Sequence, residues 1–307
     1  MKLCRFELVS EPGAVRSGLY YSGKVYETDG TQPIGVHELA AVRLLAPLGL
    51  APSVRLFREL PAGIEGWLPT GIESARRRGL TFSYLHPQTV VGPYQVVGPS
   101  PMPGKIAVMP CLAVVVSDAG HSIGVEEAPG FVLGLALANV FHHAEIAEDE
   151  VRNGMGISRS HDLGIAVGPA ITTPEELEEV EAETPFGRTY RLSITLQVNG
   201  REVSRYALED AGATPAELIS FASETRPLLP GDLLLLPLDT HGLPVSSEDE
   251  IHLVSDRLVP YPRRSVDDGS SPGALRSAHP GGVRIRPQSL WPTAPPNCFN
   301  STTAFGS

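Results

Sequence analysis

Basic residues are scarce in this chain of 307 residues: 24 Lys and Arg stand against 35 Asp and Glu, a formal net charge of -11. Nucleic-acid backbones and anionic membrane surfaces are bound by clustered Lys and Arg, so neither is expected as a partner. Cysteine is scarcer still. Cys4, Cys111 and Cys298 are odd in number and lack metal-ligand spacing, which argues for a reducing compartment rather than a disulfide framework. Long apolar runs are missing too; those around Phe131–Phe141 and Leu233–Leu238 are too short to span a bilayer. The opening MKLCRFELVSEPG carries no extended apolar segment of the kind a secretory signal needs. The expected setting is cytoplasmic, and the expected partner is a small molecule, uncharged or modestly anionic. At 42% hydrophobic residues and a mean hydropathy near zero, the chain can bury one large core, or one core and a small N-terminal lobe.

Taken in order, Lys2–Leu8, Gly18–Tyr21 and Lys24–Glu27 read as short strands, with Asp29-Gly30 as a turn. The spacing of Leu39, Val42 and Leu45 predicts a helix over Val36–Leu45, stopped by Pro47. Residues 58–80 read as a loop or lid around Arg76-Arg77-Arg78, and 81–110 as short strands and tight turns. Leu112–Val116 is an apolar run of the kind buried on both faces. Thr173, Pro174 and Glu176 predict a capping box opening a helix that runs through the acids to Glu183. Tyr190, Leu192, Ile194, Leu196 and Val198 alternate strictly, and Asn199-Gly200 then supplies a hairpin turn into Glu202–Tyr206. Thr214-Pro215-Ala216-Glu217 predicts a second capped helix through Ser223; Pro230-Gly231-Asp232 turns into a buried strand at Leu233–Leu236, and Ile251–Val259 reads as another. Residues 264–307, rich in Ser, Pro, Gly and Ala, read as a disordered tail.

The chain is organised around Gly130–Pro169, where an apolar strand runs into His142, His143 and Glu145. Around this stretch several segments line up. RLLAPLGLAPSVRLF, TVVGP, LAVVV, GFVLGLALANV, LGIAVGPAITTPEEL, LSITLQVNGREV and AELISFASETRPLLPGDLLLL follow one another in an order that resembles the fumarylacetoacetate hydrolase superfamily over about residues 1–262. The resemblance implies an α+β, β-rich fold: a mixed rolled β-structure with a small N-terminal β-rich domain (1–60), a catalytic-type domain (61–263), the tail (264–307), and commonly a homodimer.

That family generally holds Mg²⁺ with two glutamates and an aspartate, the hard oxygen donors such a cation demands. In the same positions this sequence has Met109, Cys111 and Val140. No metal and no other cofactor is therefore expected, because unpaired buried carboxylates would be costly once a cation was gone. The family's lysine ahead of Ser-Phe-Asp becomes Arg159, followed by Ser160, His161 and Asp162, and the family lid motif with its His and Glu has no counterpart.

The candidate catalytic residues are His142, Glu145, Arg159 and Asp162. His142 falls two residues past Val140, on the face of the missing aspartate, as a general acid or base, with Glu145 as its orienting partner. Arg159 is a fixed cation for a substrate carboxylate or enolate, or else a salt-bridge partner of Asp162. Asp239 and His241 are candidate substrate-binding residues, placed by position on the loop that usually touches substrate. Cys111 is expected to be inert. The resemblance implies an enzyme acting on a β-dicarbonyl or 2-oxo acid-like compound by enol or enolate chemistry, namely isomerisation, cyclisation, dehydration or C–C hydrolysis, metal-independent and in specialised metabolism. The alternative is a non-catalytic descendant with a binding or structural role.

Overall fold

The computed structural model describes residues 1–59, 80–93, 104–184, 187–239, 242–246 and 249–259. Residues 60–79, the expected lid with its arginine triplet, and the tail from 260 onward lie outside the described residues, as does His241. Among the described residues no helix is long and apolar enough to cross a membrane.

Strands dominate. The first five are β1 (Lys2–Leu8), β2 (Glu11–Tyr21), β3 (Lys24–Thr28), β4 (Pro33–Glu38) and β5 (Val42–Leu44). The helix expected over Val36–Leu45 is therefore not there. Its residues form β4, a short 3₁₀ turn and β5, because β1 offers an edge on which Phe6 pairs with Leu44 and Leu8 with Val42. Pairing lets Val42 and Leu44 bury on one face while Arg43 points out, so the period of two prevails over an apolar spacing that suited a helix equally well.

Next come β6 (Val54–Glu59), β7 (Leu80–Leu85), β8 (Val90–Val91), β9 (Ile106–Val116) and β10 (Val132–His143). Helix α1 (Ala144–Arg152) follows β10 directly, and β11 (Gly164–Thr172) returns antiparallel to it. One sheet of thirteen strands runs in the order β4-β3-β2-β1-β11-β10-β9 and on through β16 (Leu233–Pro237) to β6 and β7. The N-terminal strands continue this sheet through the pairing of Leu3 with Ile171. Gly134 sits at a bulge where β10 switches register against β9; a Cβ there would stand 2.4 Å from the Thr172 carbonyl oxygen, so close approach requires glycine.

The stretch after β11 corrects a second expectation. Thr173 does not cap an α-helix: its hydroxyl accepts from the Met1 amino group, and Pro174–Val180 forms a 3₁₀ helix. The acidic run ends in β12 (Glu181–Thr184), paired with β13 (Gly187–Tyr190). Then β14 (Ser193–Val198) turns at Asn199-Gly200, both with positive φ (52° and 75°), into β15 (Arg201–Ala207), the mirror-image turn that matches strand twist. Helix α2 (Pro215–Ser223) opens with both hydrogen bonds of the capping box between Thr214 and Glu217. After β16 come β17 (Leu243–Val245) and β18 (Ile251–Ser255), the latter shorter than expected.

The continuous burial of Leu112–Val116 follows from cores on both sides of β9. One face, with Leu112 and Val114, meets Leu218 and Ala222 of α2 and Ile194 and Leu196 of β14. The other, with Met109, Cys111, Ala113 and Val115, meets Ala138 and Val140 of β10 and Leu56 of β6.

Candidate active site

Strand β10 delivers the site. Val140 is the register partner of Met109 and Ala138 of Cys111, and all of these side chains are buried in one cluster. The three positions expected from sequence to correspond to the resembling family's carboxylates thus converge on one face, occupied by a thioether, a thiol and an isopropyl group. Burial pushes the Cys111 thiol well above its ordinary range, and its Sγ reaches only the Met109 carbonyl at 3.5 Å. Such donors do not fit a hard divalent cation. Among the described residues no group of three His, Cys, Asp or Glu side chains could hold a metal ion.

The polar groups gather one step further along the same face. His142, two residues beyond Val140, is 4% exposed, and its ring lies on that of His161, 4.8 Å between centroids and 5° from parallel. His161 sits at the end of a 3₁₀ turn, Arg159–His161, held under the sheet by a buried acid on α1. That acid is Glu150. Its carboxylate accepts from the Ser158 and Ser160 amides at 3.2 and 3.4 Å and from the Ser160 hydroxyl at 2.5 Å. The same hydroxyl oxygen lies 2.8 Å from His161 Nδ1.

This chain of contacts fixes a tautomer. A serine hydroxyl has one proton to give, and here it goes to the Glu150 carboxylate, so Ser160 Oγ must accept from His161 Nδ1–H. His161 Nε2 is left with its lone pair, buried and without a hydrogen-bond partner. The carboxylate–hydroxyl–imidazole order orients a base as an aspartate orients the histidine of a serine-hydrolase triad. Desolvation, with contributions from His142 and the Arg58 guanidinium, pushes the His161 imidazole down to about 3. His142 is also shifted down, by burial and then by His143. Both rings are neutral at neutral pH. Arg58 Nε and His142 Nδ1 are likewise buried without partners, so three unpaired nitrogens belong to one neighbourhood.

Of the expected residues that are described, only His142 lies in this cluster. Glu145 does not orient it: the chain turns into α1 at Ala144, and the Glu145 carboxylate accepts from the Lys105 amide at 2.7 Å instead. Arg159 and Asp162 are exposed at the two ends of the His161 turn, joined through backbone, the Asp162 amide donating to the Arg159 carbonyl at 3.4 Å. Asp162 lines a separate cavity of about 500 Å³. Asp239 accepts from the Gly242 amide at 3.3 Å and from the Tyr206 hydroxyl at 3.4 Å. The loop it holds reaches the site, since a Cβ on Gly242 would meet His142 Cε1 at 2.8 Å. His161, Ser160, Glu150 and Arg58 were not among the expected site residues. One signal for them existed: a histidine occupies the phenylalanine position of Ser-Phe-Asp, a gain of polarity in a region that otherwise lost it.

Comparison with known proteins identifies the family of the chain. The model of the fumarylacetoacetate (FAA) hydrolase C-terminal family matches residues 75–236, and that of the Rv2993c-like N-terminal family matches residues 1–47. The chain belongs to the fumarylacetoacetate hydrolase family. Among curated proteins it is similar to the mitochondrial oxaloacetate tautomerase Fahd2a of Rattus norvegicus, 25% identical over 149 residues, 48% of this chain and 44% of the relative. It is similar also to the 4-hydroxyphenylacetate degradation bifunctional isomerase/decarboxylase of Escherichia coli, 23% identical over 180 residues, 59% of this chain and 38% of the relative. The chain thus matches less than half the length of these two relatives. In fold it resembles the 5-carboxymethyl-2-hydroxymuconate delta-isomerase of Mycobacterium smegmatis (TM-score 0.66, 20% identity, 85% of this chain and 96% of that one). The maleylpyruvate hydrolase of Sphingobium sp. SYK-6, solved with manganese(II) and pyruvate, is similar at TM-score 0.63 and 18% identity, over 85% of this chain and 97% of that one.

Proposed function

We propose that this fumarylacetoacetate hydrolase family member is a metal-independent enzyme that moves a proton on an enolisable 2-oxo acid or β-dicarbonyl compound. The observation that carries the reading is the fixed tautomer of His161, whose unpaired Nε2 lies in a cluster with His142 and Arg58. In this reading Nε2 takes a proton from the carbon next to the carbonyl. The C–H bonding pair moves to form the enolate C=C bond as the carbonyl π pair shifts onto oxygen, and the charge is met by the Arg58 guanidinium. Returning the proton to oxygen or to another carbon completes a tautomerisation with no net change in atoms. An imidazole held near 3 is a weak base alone, but a substrate carboxylate brought beside it favours the imidazolium and raises its basicity at the moment of use. The relatives' names, a tautomerase, isomerases and a decarboxylase, support chemistry of this kind.

Exchange of substrate protons with solvent tests it. Chelator-treated protein is mixed with oxaloacetate in D₂O and the loss of the C3 proton signal is followed by NMR. Acceleration over buffer is expected without added metal, falling about 100-fold in His161→Ala. Equal rates in wild type and His161→Ala, or acceleration only after adding Mg²⁺ or Mn²⁺, would overturn the proposal. The apolar packing of Met109, Cys111 and Val140 favours a second reading, a binding protein without catalysis. Failure to accelerate exchange in any 2-oxo acid or β-dicarbonyl tried would support that one.

A further inference from the structure

The cavity that holds Asp162 also holds a cation with nothing to do in the chemistry above. Arg55, on β6, is 1% exposed. Its Nη1 donates to the Ala222 carbonyl at the end of α2, 2.7 Å away, and its Cζ lies over the rings of Phe82 and Tyr84 at 5.3 and 5.4 Å. The facing acid, Asp232, does not close the arrangement. Its Oδ1 accepts from the Ser53 hydroxyl at 2.8 Å and its Oδ2 from the Leu229 amide at 2.9 Å, while the approach to Arg55 Nη2 is 3.8 Å, too long for a hydrogen bond. Arg55 Nε is buried with no partner. A guanidinium taken out of water and left with an unused donor is a costly arrangement, and here it borders an open volume of about 500 Å³, the size of a small-molecule site.

The rest of the lining defines what fits. Arg226 adds a second, exposed guanidinium, Pro227, Leu229 and Tyr84 supply apolar and aromatic wall, and Asp162 places one carboxylate among them. Two guanidiniums call for an oxyanion, and one is already partly balanced by Asp232. Asp162 penalises a second negative charge on the guest. Neither His142 nor His161 lines this cavity. We propose that it is a second binding site, separate from the histidine cluster, for a small organic monocarboxylate with an aromatic or apolar body, its carboxylate seated between Arg55 and Arg226.

Benzoate is a suitable probe, with benzamide as its uncharged counterpart. The readout is the Arg55 Nε–H signal in ¹H–¹⁵N NMR of the full chain, which reports the donor that lacks a partner. Benzoate is expected to move this signal with a Kd on the order of 1 mM. Arg226→Gln, a change at an exposed residue, weakens binding about tenfold, and Leu229→Trp, which fills the cavity, abolishes it. His161→Ala leaves benzoate binding unchanged, so this site stands or falls apart from the catalytic proposal. No movement of the signal at about 20 mM benzoate, equal binding of benzamide, or undiminished binding in Leu229→Trp would each overturn it.

Discussion

His142 and His161 present their rings face to face, 4.8 Å apart, with both side chains more than nine-tenths buried. Two imidazolium rings cannot share that space, so the folded protein holds the pair neutral while the unfolded chain does not. For His161 the folded value of about 3 lies below the ordinary 6.5. Between these values the unfolded state binds more protons, so stability rises with pH across the window. The contribution is complete above about pH 6.5 and is lost as pH falls toward 3, a few kcal/mol in all at about 1.4 kcal/mol per pH unit. Urea midpoints taken at about pH 7 and pH 4 should therefore drop in the wild type. In His161→Phe, which keeps a stacked ring that cannot charge, the drop should be clearly smaller. An equal drop in the two proteins would show that the stack does not set the acid sensitivity.

The Glu150–Ser160–His161 contacts carry a spectroscopic consequence. ¹⁵N NMR of the histidines should show His161 neutral at pH 7, protonated on Nδ1 and bare on Nε2. Ser160→Ala removes the acceptor that holds the Nδ1 proton, and the spectrum should then move toward a mixture of tautomers. Proton exchange on substrate should fall with it, since a base in the wrong tautomer cannot act. A Ser160→Ala protein with an unchanged tautomer would place the orienting group elsewhere.

The elements legible in the sequence are those set by neighbours along the chain. Asn199-Gly200 forms its turn from the positive-φ tolerance of two adjacent residues, and Thr214 caps α2 through Glu217, three positions on. The expectations that failed were overridden by distant partners. Leu44 is claimed by Phe6 on β1, and the Thr173 hydroxyl by the Met1 amino group. The site divides the same way. His142 was legible because strand alternation carries it to the face of Val140. His161 was not, because its role depends on Glu150 from a helix eleven residues earlier and on a ring contributed by strand β10.

Val140 is the position at which the sequence leads one to expect the family's aspartate. It is fully buried opposite Met109, so Val140→Asp puts an unpaired carboxylate into an apolar cluster. A loss of about 3 kcal/mol or more is expected, and Mn²⁺ should not restore it because the neighbouring positions offer no second oxygen ligand. Replacing Met109 and Cys111 by Glu in the same protein supplies three convergent carboxylates, and Mn²⁺ should then raise the melting temperature. Rescue of Val140→Asp alone by Mn²⁺ would reveal oxygen donors already at hand.

Gly242 ties the Asp239 loop to the histidine pair. Its φ of +71° disfavours any side chain, and a Cβ there would stand 2.8 Å from His142 Cε1 and 3.3 Å from the Val108 carbonyl. Gly242→Ala should thus cost about 1–2 kcal/mol in backbone strain and also displace the His142 ring from its stack. Gly13 provides the comparison, because its φ of +93° carries the same kind of strain while a Cβ there meets nothing within 4 Å. Both variants should lose stability, Gly242→Ala the more because its Cβ also meets the buried His142 ring. Only Gly242→Ala should shift the ring-proton NMR signals of His142 and His161 and slow substrate exchange. Equal effects of the two substitutions on those signals would mean that the loop does not position the pair.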